Sequence, residues 1–132
     1  MHKLAVVGCL SALALAAPSQ AAPRSLRCDF ADGTFRAWDK ASRQTFDTLT
    51  LIFDSIDPAQ GRARLVGNTG ATDVSVVAAP RKTTFIEITT AGNVNTTTVY
   101  ESAIDMKAVH SRHTGTPENP TLSQAYGYCK PY

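Results

Sequence analysis

The residues most capable of chemistry in this chain lie in one short run, His110-Ser111-Arg112-His113, with Glu87 and Trp38 elsewhere in the sequence. Histidine can ligate a metal or carry a proton, and arginine grips a carboxylate through a planar fork of donors. Spacing limits what this run can do. On a strand, alternate residues share a face, so His110 and His113, three apart, point to opposite sides and cannot hold one ion. Ser111, His113 and Glu87 supply the residue types of a hydrolase triad, but no Gly-x-Ser-x-Gly elbow is present to expose the hydroxyl. Asn68-Thr69-Gly70 lacks the lysine and following helix of a phosphate loop and reads as a turn. No motif implies a metal or a cofactor, and an enzymatic reading, as a hydrolase, ranks third behind two non-enzymatic ones.

His110 and Arg112 are two residues apart, and the same period places Ile104, Met106 and Ala108 on their face. An apolar strand face that ends in a base and a cation suits the mouth of a binding cavity. Glu87 joins that interior if Phe85 is the inward residue of its own strand. It would then meet Arg112 or His110, because an unpaired carboxylate in an apolar interior is very costly. Trp38 offers a flat aromatic surface for a ligand mouth, although a single tryptophan in a small β domain is more often core or lid packing. The ligand-binding candidates are therefore Trp38, Glu87, His110 and Arg112. The string Asn95-Thr96-Thr97 also matches a glycosylation acceptor.

These residues must be carried by a chain that begins as an export signal. Met1, His2 and Lys3 form a basic start, and Leu4 to Ala17 form an apolar core of secretory length, with cleavage expected after Ala21. That core is shorter than the roughly 20 apolar residues needed to span a bilayer, so no membrane span is expected. Val6-Val7-Gly8-Cys9 resembles a lipoprotein box, but a cut there would precede an adequate apolar core. Residues 1–21 are thus expected to be removed, leaving 22–132 as a single domain of 111 residues. Loss of Lys3 lowers the net charge from +2 to +1, and a near-neutral chain without a basic run gives no support for nucleic-acid binding. Cys9 leaves as well. The remaining pair, Cys28 and Cys129, reads as a disulfide in an oxidising compartment, periplasmic or secreted.

The body of the domain reads as β. Apolar-alternating runs recur at Leu26 to Phe30, Thr34 to Trp38, Thr48 to Ile56, Arg62 to Val66, Asp73 to Ala78, Thr83 to Thr89, Val94 to Tyr100, Ile104 to His110 and Leu122 to Cys129. Asp32-Gly33, Pro58 to Gly61, Asn68 to Gly70, Pro80 to Lys82 and Gly92-Asn93 punctuate them as turns, with Thr114 to Pro120 as a long loop. Asp39 to Gln44 is the one stretch read as able to take a helical turn. Short links favour antiparallel neighbours, and a bond between Cys28 and Cys129 brings the first and last strands within about 7 Å. A meander whose ends meet is a closed barrel of eight or nine short strands, with a two-sheet sandwich as the alternative.

The signal, the strand count, the short turns and the terminal disulfide resemble small exported β-barrels of the avidin-like or lipocalin-like type. The resemblance is architectural. The Gly-x-Trp opening of a lipocalin is not met, since Gly33 is followed by Thr34, Phe35, Arg36 and Ala37 before Trp38. The leading expectation is a binding module for a small, partly apolar acidic ligand met by Arg112 and His110. The alternative is an envelope or secreted protein-interaction factor or inhibitor with a solidly packed core.

Overall fold

Period-two burial runs through most of the described chain. Buried Ala63 and Leu65 alternate with exposed Arg62 and Arg64, and buried Asn95, Thr97 and Val99 alternate with the partly exposed Val94, Thr96 and Thr98. A computed structural model describes residues 25–132, with the side chains of 42–48 excepted. The expected signal, its cut after Ala21, and Cys9 lie outside the described residues.

Eight strands form: β1 (Leu26–Ala37), β2 (Lys40–Asp57), β3 (Arg62–Gly67), β4 (Gly70–Ala79), β5 (Lys82–Ile88), β6 (Val94–Glu101), β7 (Met106–Gly115) and β8 (Pro120–Pro131). Each pairs antiparallel with the next, and β1 also pairs with β8, so the meander closes into a barrel. A closed ladder rules out the sandwich. Cys28 stands directly opposite Cys129 in the closing ladder, and the two are joined by a disulfide with their Cα atoms 4.0 Å apart.

Four readings of the sequence are corrected. Asp32-Gly33 is not a turn: the two runs on either side of it merge into β1, which carries a register shift between Phe30 and Asp32. One extra residue against β8 there lets Phe30 and Gly33 both face inward. Asp39 to Gln44 takes no helical turn. The chain reverses at Trp38-Asp39, and Lys40 to Arg43 pair with Ala37 to Thr34, so the β1–β2 ladder takes up the backbone groups that face β1. The loop expected from Thr114 to Pro120 shrinks to Thr116–Asn119, because Gly115 pairs with Pro120. Thr116 and Asn119 close that turn with mutual backbone hydrogen bonds of 3.2 and 3.0 Å. Finally, Ile104 does not begin the inward face of β7. It sits in the turn after β6, 94% exposed, where the Ser102 hydroxyl accepts the amides of Ile104 and Asp105.

The ends of the barrel differ. The termini and the turns after β2, β4 and β6 gather at one end, and the turns after β1, β3, β5 and β7 at the other. Leu26, Cys28, Phe30, Phe53, Phe85 and Val99 fill the interior on the terminal side. Phe53 and Phe85 stack across it with ring centroids 3.9 Å apart. Among the described residues, no helix is long and apolar enough to cross a membrane.

Candidate functional site

At the far end the inward rows turn polar. β7 sends Ala108, His110 and Arg112 to the inside in succession: the first two are buried and Arg112 is exposed at the rim. The register sets their neighbours. Phe85, Thr97, His110 and Ala125 form one inward row across β5, β6, β7 and β8. Glu87, Asn95, Arg112 and Ser123 form the next row toward the mouth. Phe85 is the inward residue of β5, only 1% exposed, so Glu87 follows it inside as its phase predicts.

A cavity of about 370 Å³ opens at this end. Leu49, Leu51 and Leu65 give it an apolar wall, Glu87, His110 and Arg112 a polar one, and the β3–β4 turn from Gly67 to Thr72 borders it. That volume lies at the small end of the range for ligand pockets. Three of the four candidate residues are therefore brought together. The fourth is not: Trp38 stands 78% exposed at the tip of the β1–β2 turn, among Arg36, His113 and Leu122 on the outer surface, away from the cavity.

The partner expected for Glu87 is also different. Its carboxylate accepts a 2.7 Å hydrogen bond from Asn95 Nδ2 rather than meeting Arg112 or His110. Asn95 is 7% exposed, so the side chain of the glycosylation-like string faces the interior and its amide nitrogen is occupied. Thr97 Oγ1 and His110 Nδ1 lie 2.8 Å apart, both buried. Burial first, and the Arg112 charge second, push the His110 pKa down to about 4, so the ring is neutral near pH 7. Phe30 backs the imidazole at a centroid distance of 5.7 Å.

Among the described residues, two buried polar atoms of this group have no partner, Asn95 Oδ1 and His110 Nε2. Native interiors rarely leave such atoms unpaired, and a ligand or a water is the usual explanation. Asn95 and Thr97 are the residues that sequence reasoning missed. The alternation Asn95-Thr97-Val99 was the available signal, but Val94, Thr96 and Thr98 made an equally plausible inward set.

The other chemistries disperse. Ser111 and His113 lie on the outer face while Glu87 lies inside, so a triad does not assemble. His110 and His113 point to opposite faces of β7, as their spacing requires. Among the described residues, no group of three His, Cys, Asp or Glu side chains is placed to hold a metal ion. Comparison of the chain with protein-family models, with curated proteins and with solved structures finds no match in any of the three.

Proposed function

We propose that the protein is an exported, non-enzymatic binding module that holds a small, partly apolar acidic ligand in the cavity at the open end of its barrel. The observation that carries this reading is the split lining: three leucines on one wall and an arginine beside a neutral histidine on the other. Among the described residues, Arg112 has no carboxylate within ion-pair distance, and Glu87 is engaged by Asn95. A guanidinium at the rim of a cleft with one apolar and one polar wall favours a carboxylate or similar anion through charge-assisted hydrogen bonds. The disulfide supports an oxidising compartment, and the apolar N-terminal segment supports export to the periplasm or beyond.

Titration with the anionic fluorophore anilinonaphthalenesulfonate tests the reading. Arg112→Ala should weaken binding about tenfold, as loss of one charged hydrogen-bonding partner would. Unchanged affinity in that variant would remove the basis for an acid site.

Interaction with an envelope or secreted protein is the second reading, and one feature favours it. Tyr100, Lys107, Tyr128 and Asp29 form a continuous row on the outer face, with Tyr126 beside it and all three tyrosines largely exposed. Exposed aromatics of this kind are enriched at protein interfaces.

A further inference from the structure

The cavity is lined by two charges of opposite sign. Among the described residues, Glu87 and Arg112 are its only ionisable side chains besides His110, and burial keeps that ring neutral near pH 7. Both lie in one inward row, in which Asn95 of β6 stands opposite Glu87 on one side and Arg112 on the other. Neighbouring strands are about 4.8 Å apart, so the two backbones are separated by about 10 Å along that row. The charges do not close on each other: among the described residues, neither side chain forms an ion pair. Asn95 donates to Glu87 Oε2 alone, which leaves acceptor capacity on the carboxylate.

A simple acid satisfies half of this lining. Its carboxylate gains Arg112 but enters a cavity that also holds Glu87, and like charges repel strongly where water is scarce. A ligand with an ammonium as well as a carboxylate matches both residues, through one charge-assisted contact at each, and adds no net charge to the site. The leucine wall comes from β2 and β3, away from the charged row on β5 to β7, and is suited to receive an apolar side chain. In an α-amino acid those three groups leave a single carbon, as the three parts of the lining border a single cavity. We propose that the cavity selects free amino acids with apolar side chains, the ammonium at Glu87 and the carboxylate at Arg112. This assignment deepens the acid reading above and rests on it.

Two matched series test it by calorimetry on the oxidised protein at neutral pH: leucine, isocaproate and isoamylamine, and phenylalanine, hydrocinnamate and phenethylamine. In at least one series the amino acid should bind about tenfold more tightly than the acid that lacks its ammonium and the amine that lacks its carboxylate, as expected for one added hydrogen bond between charged groups. Glu87→Gln keeps an acceptor for Asn95 and removes the charge, so it should weaken the amino acid, strengthen the acid and abolish the preference between them. Arg112→Ala should weaken both. An acid that binds as tightly as its amino acid, or more tightly, overturns the assignment and leaves the acid reading standing. A preference for the amino acid that survives Glu87→Gln also overturns the assignment, and the unmutated protein decides the matter alone if that variant does not fold. No binding in either series overturns the assignment and the acid reading together.

Discussion

His110 is the residue at which burial, hydrogen bonding and charge converge. Its imidazole is 4% exposed, packed against Phe30 and bonded to Thr97, with Arg112 two residues along the same face. A histidine that titrates near 6.5 when unfolded and at about 4 when folded makes the unfolded chain the stronger proton binder between those values. Stability therefore rises with pH through that window: the contribution is fully present above about 6.5 and is lost as the pH falls towards 4. A shift of that size is worth about 3 kcal/mol at most. Urea denaturation across the window should show this loss, and His110→Phe, which keeps the ring and removes the titration, should flatten it. An unaltered slope in the variant would assign the acid sensitivity to other groups. Glu87 and Arg112 were legible as inward residues because strand phase tied them to Phe85 and to Ala108. Trp38 lies apart from the cavity lining, a placement its aromatic character could not reveal because the residue sits at a turn.

At the scale of elements, alternation and turn chemistry located most of the strands, and the misplaced boundaries have local causes. The Asp32-Gly33 pair carries a strong turn signal, yet β1 continues through it because Gly33 faces inward and its backbone pairs with both β2 and β8. Asp followed by Gly looks the same to a sequence reader whether the strand ends or merely bulges. The Thr114 to Pro120 stretch failed for the opposite reason. Its prolines suggested a loop, but Pro120 begins β8, a position where a missing amide costs little. Gly127 illustrates what the closed ladder demands of β8. A Cβ there would collide with the carbonyl of Asp29 on β1, so the two strands approach more closely than any side chain permits. Gly127→Ala should cost about 2–3 kcal/mol through forced separation of the closing strands, measured by thermal or urea unfolding. A change of only a few tenths would mean that the β1–β8 seam is looser than its register implies.

For the whole molecule, closure is secured twice, by the β1–β8 ladder and by the Cys28–Cys129 bond across 101 residues of chain. The bond acts chiefly on the unfolded chain, so replacing both cysteines by serine should leave the barrel folded but less stable by about 2–4 kcal/mol. An unchanged urea midpoint would show that the ladder alone holds the ends. The even cysteine pair made this bond legible in the sequence. The cavity was not, because a barrel of this size can be filled with side chains or hold one small ligand, and only the three-dimensional placement of Leu49, Leu51 and Leu65 against Glu87, His110 and Arg112 distinguishes the two. The most direct measurement is native mass spectrometry of the protein purified unreduced from its own host, beside a denatured control and the Arg112→Ala variant. A ligand-holding barrel predicts the oxidised mass plus a discrete small acid that leaves on denaturation and is depleted in the variant. Bare oxidised protein in every sample, or an adduct indifferent to Arg112, would contradict it.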